Sequence, residues 1–326
     1  MSGNKTAIVF GGSGFVGEYL IRELKNTGEF SRIVSADIKA PSSRLEGVDY
    51  ITCDIRAPIE MAGNLENAEI YNLAAVHITP GHQEWEYFWT NVIGAMEVCK
   101  FAQQIDARSI FFTSSISVYQ PSDDAHGENW PLLPETAYGR SKLIAERVHR
   151  DWRTAQAGRK LFIVRPAVIF GPGENANFTR LARALKTRRF AFPGHNRTVK
   201  ACIYVGELVR SMLFVRKLGN DEVIYNGAYP SSYTSGDICQ AFCDVAGYHM
   251  PRLAVPLGPM LLAGWVFEKL SAFGIRTSIN RARVLKLVRS TNIKPGQLVA
   301  TGYQFETDLQ AGLRRWLQES PTHDFT

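Results

Sequence analysis

Cysteine is scarce in this chain of 326 residues: there are five, Cys53, Cys99, Cys202, Cys239 and Cys243, scattered and odd in number. A disulfide framework is therefore not expected, and reduced thiols fit a cytoplasmic location. Cys239 and Cys243 can share a helical face, but no second pair or histidine at ligand spacing accompanies them, so no metal site is predicted. Long apolar runs are lacking as well. The most apolar late stretch, Leu253 to Phe267, is interrupted by Pro256 and Pro259 and is too short for a bilayer span, which predicts no integral membrane segment. We read it as a buried or interface helix, with peripheral membrane contact as the alternative. The first apolar strand begins only a few residues after Met1, leaving no room for the basic segment and apolar core of a signal peptide, and export is not expected.

Charge of one sign does not dominate either, with 37 Lys and Arg against 31 Asp and Glu and a net charge of +6. No helix-turn-helix, zinc-finger or aromatic ribonucleoprotein signature accompanies that excess, so nucleic acid is not an expected partner. The cations are scattered, apart from Lys186-Thr187-Arg188-Arg189 and the stretch from Arg276 to Lys294. They read as a solvated surface or as the recognition of an anionic small molecule. Internal repeats and low-complexity linkers are also missing. With 45% hydrophobic residues, the chain can bury a large core as one sizeable domain or two lobes.

What is present begins at Lys5. The apolar run Ala7 to Phe10 reads as a buried parallel strand, Gly11, Gly14 and Gly17 as a turn, and Phe15 to Lys25 as a helix. Gly11 permits the tight turn, Gly14 lets the backbone approach a pyrophosphate, and Gly17 lets the helix lie close to its strand. The helix N-terminus then faces the anion. Asp37 ends the second strand about 20 residues after the last glycine, where a carboxylate binds the ribose hydroxyls of NAD and repels a 2′-phosphate. NAD is therefore the expected cofactor, although Lys39 and Arg44 soften that repulsion.

Strands near Tyr50–Cys53, Ile70–Leu73, Ser109–Ser114 and Leu161–Arg165 alternate with helices across Glu84–Ile105 and Ala137–Gln156. This alternation predicts an α/β fold, a Rossmann-type doubly wound parallel sheet with ligands at the carboxyl ends of its strands. The dinucleotide-binding domain is expected over residues 1–170. Residues 171–326 read mainly as a smaller, discontinuous substrate lobe, with Ile203–Val205 and Glu222–Asn226 as strands that return to the main sheet. A proline-punctuated helix is expected around 256–274.

A second constellation carries the chemistry. Thr113-Ser114-Ser115 closes one strand, and Tyr138-Gly139-Arg140-Ser141-Lys142 opens a helix. Residues four apart share a helical face, so Lys142 can bring its ammonium near the Tyr138 phenol. Together with a positive nicotinamide ring it would favour phenolate. Lowering a phenol pKa from about 10 to about 7 needs roughly 4 kcal/mol. Ser115 would hold the substrate oxygen against that phenolate.

With these segments in order, the chain resembles an extended short-chain dehydrogenase/reductase of the nucleotide-sugar epimerase/dehydratase type. The likeness spans nearly the whole sequence. Its motifs are Gly11 to Gly17 with Phe15 and Val16, Cys53-Asp54-Ile55-Arg56, Asn72 to His77, Asn91, Thr113 to Tyr119, Tyr138 to Lys142, and Arg165-Pro166 to Gly171-Pro172-Gly173. The resemblance implies that Asp54 and Ile55 flank adenine, that Ala74 and Ala75 line the cofactor cleft, and that Asn91, Thr113 and Pro166 support the cofactor site. His77 reads as a substrate-lining histidine, because Tyr138 already supplies the acid and base.

The same resemblance argues some reactions down. Ile116 and Ser117 stand where sugar 4,6-dehydratases carry an Asp-Glu pair, and Ile116 stands where 3,5-epimerase-reductases carry a Cys. What remains needs only Ser, Tyr, Lys and a nicotinamide. The expected activity is 4-epimerisation of a nucleotide-diphosphate sugar through a transient keto-sugar, in a cytoplasmic enzyme of polysaccharide biosynthesis; a homodimer is one expected arrangement. A reductase of a keto-sugar or of a hydrophobic secondary alcohol is the alternative, and an idle NAD-binding sensor the third reading. Lys200 and Arg283 are expected to meet the substrate's phosphates, with Asn177 and Phe178 lining the same pocket. Tyr204-Val205-Gly206-Glu207 departs from the family's usual His-Val-Asp-Asp-like segment, so the sugar and base stay open.

Overall fold

The structure, a computed structural model, describes residues 5–63, 65, 67–79, 81–272, 281–320 and 324–325. Its first half alternates strand and helix: β1 (Thr6–Phe10), α1 (Phe15–Thr27), β2 (Arg32–Asp37), β3 (Asp49–Thr52) and β4 (Glu69–Asn72). There follow α2 (Glu84–Phe88), α3 (Gly94–Gln104), β5 (Ser109–Thr113), β6 (Ser122–His126), α4 (Ala137–Thr154) and β7 (Lys160–Pro166). The helix expected across 84–105 is thus two helices, joined by a π turn over Trp89–Ile93.

The second half is built from shorter pieces. They are β8 (Val168–Phe170), α5 (Asn177–Lys186), β9 (Phe192–Pro193), β10 (Cys202–Tyr204), α6 (Val205–Arg216), β11 (Glu222–Gly227) and α7 (Ser235–Ala246). Beyond these lie β12 (Ala254–Val255), α8 (Leu257–Ala272), α9 (Arg281–Val288), β13 (Thr291–Ile293), α10 (Gly296–Ala300) and α11 (Leu309–Glu319).

Seven parallel strands form one sheet in the order β11-β7-β5-β4-β1-β2-β3. The chain runs outward from β1 through β2 to β3 and then returns to set β4 on the other side of β1. That reversal opens a crevice at the carboxyl ends of β1 and β4, where such sheets bind ligands. Side-chain alternation along β1 explains the layering: Ala7 and Val9 join the core under α1 and α6, while Ile8 and Phe10 join the core under α3 and α4. Both faces are apolar, as a sheet covered by helices on both sides requires.

Glu222–Gly227 does return to the sheet, as its edge strand beside β7. The segment around Ile203 does not. Cys202–Tyr204 instead pairs with β8 in a separate two-stranded sheet, because Val168–Phe170 peels away after Pro166 and offers it a parallel partner. The last residues are tied to this region by Glu207, which accepts hydrogen bonds from Tyr303 Oη at 2.5 Å, Thr307 N at 2.8 Å and Thr307 Oγ1 at 2.7 Å. Burial pushes this carboxyl up, but those bonds and Arg210 outweigh it and leave it below the ordinary range.

The packing of α4 on the sheet includes a buried imidazole. His149 donates from Nδ1 to Ala145 O at 2.7 Å, meets Asn72 Nδ2 at 3.2 Å through Nε2, and stacks on Phe112 with centroids 4.2 Å apart. Burial pushes its pKa down to about 4. The unfolded chain binds that proton near pH 6.5 and the native chain does not, so this contribution is complete above pH 6.5 and is lost as pH falls towards 4. Urea denaturation should therefore show about 2 kcal/mol of stability lost between pH 7.5 and 5 through this residue. In His149→Phe that share of the slope should vanish, and an unchanged slope would show that the imidazole titrates normally.

Candidate active site

The glycine loop meets the sheet at close quarters. Gly11 has a φ of 77°, and a Cβ there would lie 2.7 Å from Ala74 N, so a side chain is excluded where β1 passes the end of β4. A Cβ at Gly17 would lie 2.3 Å from Gly11 O, which sets α1 directly on the turn. Gly14 caps α1 with extended backbone and no side-chain bond, leaving the first N–H groups, including those of Phe15 and Val16, for another acceptor. At the lip of this loop the Asp37 carboxylate accepts from Ser13 N at 3.1 Å and from Lys39 N at 3.0 Å. The donor set, a bare helix N-terminus beside a fixed carboxylate, fits the pyrophosphate and ribose of a dinucleotide.

Asn91 clamps the next part of the cleft. From the π turn it accepts from Val76 N at 2.9 Å and donates to Val76 O at 3.1 Å and Ser141 Oγ at 2.9 Å. It thereby holds the segment carrying Ala74, Ala75 and His77 against the start of α4. Tyr87 adds a hydrogen bond to Ile78 O at 2.6 Å. His77 is exposed on this segment, and partial desolvation followed by the Lys142 charge holds its imidazole below the ordinary range.

Ser115, Tyr138 and Lys142 are brought together by a helix that presses on a turn. Thr136 caps α4 by accepting from Gly139 N at 3.0 Å, and a Cβ at Gly139 would lie 2.1 Å from Ser117 O. Only glycine lets the first turn of α4 touch the segment after β5. The Tyr138 phenol consequently hydrogen-bonds Ser115, whose Oγ also accepts from Ser117 N at 3.1 Å. Lys142 is buried, with Nζ donating to Thr113 O at 2.7 Å and standing 4.7 Å from the centre of the Phe112 ring. Thr113 Oγ1 is itself buried with no protein partner, which suits a ligand hydroxyl at the end of β5.

The electrostatics differ from the expectation. Burial pushes the Tyr138 phenol up to about 12, against the opposing Ser115 bond, and pushes the Lys142 ammonium down to about 7, against Glu146. Lys142 donates to a backbone carbonyl, and desolvation sets the direction at the phenol. A phenolate at Tyr138 would therefore need a further cation, which the nicotinamide ring of a bound NAD would supply.

Glu146 is a site residue that the sequence reading missed. It lies one helical turn beyond Lys142, and Arg165 from β7 grips it bidentately at 2.9 and 2.7 Å, with both side chains buried. Ser114 donates to the same carboxylate at 2.5 Å, and Arg165 reaches Tyr119 Oη at 2.7 Å. The signal was available: Tyr138, Lys142, Glu146 and His149 recur at helical spacing, and polar residues on an inward face need partners.

Other expected residues lie elsewhere. Asp54 pairs with Arg56 at 2.7 Å in the exposed turn after β3, and the Ile55 side chain turns into the core, where a Cβ on Gly94 would sit 2.5 Å from it. Pro166 is buried at the end of β7. Phe178 does not line a pocket: it stacks on Phe170 at 4.7 Å and packs against Phe242 in the core, because it falls on the buried face of α5, while Asn177 is exposed at the helix start. Lys200 does not point an idle cation at a ligand either. Its Nζ donates to Lys286 O at 2.8 Å and Arg289 O at 2.6 Å, closing the C-terminus of α9, and burial beside Lys286 lowers its pKa to about 8. Arg283 belongs to α9, and its side chain is outside the described residues. The same helix sends Lys286 Nζ to Thr79 O at 3.1 Å, and Arg289 pairs with Glu135, so α9 spans the mouth of the cleft.

The chain is similar to known proteins in sequence and in fold. A model of the NAD dependent epimerase/dehydratase family matches residues 7–227. The chain is 28% identical over 254 residues to N-acetyl-alpha-D-glucosaminyl-diphospho-ditrans,octacis-undecaprenol 4-epimerase of Escherichia coli O157:H7, covering 77% of each chain. It is 26% identical over 223 residues, 64% of each chain, to the decarboxylating sterol-4-alpha-carboxylate 3-dehydrogenase of Saccharomyces cerevisiae. The solved structure of MoeE5 in complex with UDP-glucuronic acid and NAD shares the fold, with a TM-score of 0.75 at 21% identity over 96% of this chain and 98% of that one.

Lys142 offers a direct check on the burial of the site. Its native pKa of about 7 lies below the unfolded value near 10.4, so the unfolded chain holds the proton more tightly between these limits and stability rises with pH across that window. From pH 7 to 9 the gain should be about 2 kcal/mol by urea denaturation. Lys142→Met should lack it, and a wild-type curve as flat as the variant's would mean that the ammonium is solvated.

Proposed function

This chain belongs to the NAD dependent epimerase/dehydratase family, and we propose that within it the protein is a 4-epimerase of a sugar carried on a diphosphate. The observation that carries the reading is the meeting of Ser115, Tyr138 and Lys142 at the end of β5, beside a loop built for a dinucleotide, with Ile116 and Ser117 where elimination chemistry would need an acid pair. The family's cofactor is NAD. Gly11, Gly14 and Gly17 with the N–H groups of Phe15 and Val16 would hold its pyrophosphate, and Asp37 its adenosine ribose. When bound, NAD would supply a hydride acceptor and, once reduced, a hydride donor, so that oxidation and re-reduction of a secondary alcohol would leave no net redox change.

The chain's own residues do the rest. Ser115 hydrogen-bonds the reacting oxygen and sets it against Tyr138. Tyr138 takes the hydroxyl proton as the alcohol becomes a ketone and gives it back when the ketone is reduced. Lys142, fixed by Thr113 O, adds positive potential beside the phenol. Lys286 and Arg283, both from α9 at the mouth, are the proposed contacts of the diphosphate. The keto-sugar turns over between the two half-reactions, so the site must hold the diphosphate firmly and the sugar ring loosely. The Escherichia coli relative, by its name, acts on a diphospho-sugar linked to undecaprenol, and a nucleotide diphosphate presents the same anion. With all five cysteines free, we place the reaction in a reducing cytoplasm. A second reading, a dehydrogenase that releases reduced cofactor each turnover, is favoured by the likeness to the sterol enzyme.

Tyr138→Phe keeps the ring and removes the proton carrier, and should lower turnover by roughly 10² to 10⁴ while NAD still binds. Near-normal turnover would identify a different acid. Titration with both cofactors should favour NAD over its 2′-phosphate in the wild type and lose that preference in Asp37→Ala; equal affinities from the start would remove the role given to Asp37. To separate the two readings, UDP-, GDP-, CDP- and dTDP-sugars and a polyprenyl diphospho-sugar are screened by chromatography with nicotinamide absorbance followed in parallel. A 4-epimer formed without net change in absorbance is expected, and a product that appears only mole for mole with reduced or oxidised cofactor would give the dehydrogenase reading the place.

A further inference from the structure

Among the described residues, the segment 253–265 is an apolar stretch that the core leaves largely uncovered. Leu253 is 72% exposed, Leu262 63% and Trp265 45%, and Ala254, Val255, Pro256 and Ala263 are exposed between them. Isolated exposed leucines need no explanation, but a continuous run of this kind does. The exposure is not local slack. Leu253 O accepts from Phe192 N at 2.8 Å and Val255 O from Gly194 N at 2.8 Å, so the run is pinned to β9, and α8 packs on α9 where a Cβ on Gly264 would lie 3.0 Å from Arg281 N.

The pairing of β9 with β12 also sets cations beside this surface. Lys186, Arg188 and Arg189, at the end of α5, lead into β9, and Arg252 leads into β12; all four are exposed. A second apolar group surrounds the cleft mouth. Ile78 adjoins Thr79, whose carbonyl takes Lys286; Leu287 follows Lys286; and Leu133 lies just before Glu135, the partner of Arg289. Each of the three is more than half exposed. α9 thus links α8, on which it packs, to the Thr79 side of the candidate site.

We propose that this face, α8 with the β9–β12 edge and its basic tract, docks on an anionic lipid bilayer and presents the cleft mouth to a sugar diphosphate held there by a lipid. No helix among the described residues is long and apolar enough to cross a membrane, so the contact lies on the surface. Exposed Leu and Trp fringed by Lys and Arg match the layering of an interface, with side chains in the acyl boundary and cations at the headgroups. A second copy fits less well, because a two-fold contact through this face would bring the same basic tracts of two chains together. The part concerning the substrate's carrier rests on the sugar-epimerase reading; the docking itself does not.

The test is co-sedimentation of the whole chain with vesicles of phosphatidylcholine alone or with phosphatidylglycerol as a third of the lipid. Binding is expected to the anionic vesicles, weakened by salt, with a blue shift of tryptophan emission that is lost in Trp265→Phe. The triple substitution Lys186→Gln, Arg188→Gln, Arg189→Gln should lower partitioning to the anionic vesicles roughly 100-fold, and Leu262→Asp should weaken it without lowering the melting temperature. Tyr138→Phe should bind like the wild type, so loss of catalysis and loss of docking are read separately. Failure of the wild type to sediment with anionic vesicles, or a stable dimer that Leu262→Asp dissociates, would overturn the proposal. If vesicles bind but the polyprenyl diphospho-sugar is turned over no better in their presence than in detergent, the docking stands and the lipid-carried substrate falls.

Discussion

A helix that carries reacting groups on its buried face must bury charge, and the Arg165–Glu146 pair is what makes that tolerable here. Removing one partner of such a pair leaves an uncompensated charge and costs about 3–5 kcal/mol. The pair joins α4 to β7, takes Ser114 at the end of β5, and continues through Tyr119 Oη, which donates to Asn226 Oδ1 at 3.0 Å on β11. One helix is thus referenced to three strands by directional bonds. Hydrophobic packing alone would let α4 slide by fractions of an ångström; a bidentate guanidinium does not. The placing of Tyr138 against Ser115, and of Lys142 on Thr113 O, follows from that anchorage and from the absence of a side chain at Gly139.

The parts of the molecule that were legible in its sequence are those whose cause is local. Strand β1 declares itself by a short apolar run, the turn by glycines that its φ and close contacts require, and the Tyr138–Lys142 pair by helical spacing. The π turn around Asn91 was not legible, because its reason is a set of bonds to Val76 and Ser141 that lie far away in the chain. The same holds for Ile203, read as a main-sheet strand. Its apolar neighbours fit any buried strand, and only the departure of β8 from the sheet decides which partner it takes.

Lys200 and Phe178 show why substrate residues were harder to find than catalytic ones. A lysine near an expected ligand and a phenylalanine after a glycine loop each have the right chemistry, and chemistry was all that the sequence offered. Packing decided otherwise: Phe178 lies on the inward face of α5, and Lys200 sits under the C-terminus of α9, where an ammonium satisfies carbonyls that the helix leaves open. Lys200 still bears on the site, as a positioning residue. It holds the helix whose Lys286 reaches Thr79 across the cleft mouth.

This arrangement divides the labour between two kinds of support. The side chains proposed to react stand on a seven-stranded sheet and a helix anchored by a buried ion pair, so that the Tyr138 phenol and Ser115 hydroxyl meet with little freedom. The entrance is entrusted to α9, which reaches the rest of the molecule through long side chains: Lys200 on its last carbonyls, Lys286 to Thr79, and Arg289 to Glu135. The first two are hydrogen bonds to backbone carbonyls, and the third is an exposed ion pair, worth about 0–1 kcal/mol. The support of α9 is therefore lighter than that of α4, where removing one partner of the buried Arg165–Glu146 pair costs about 3–5 kcal/mol.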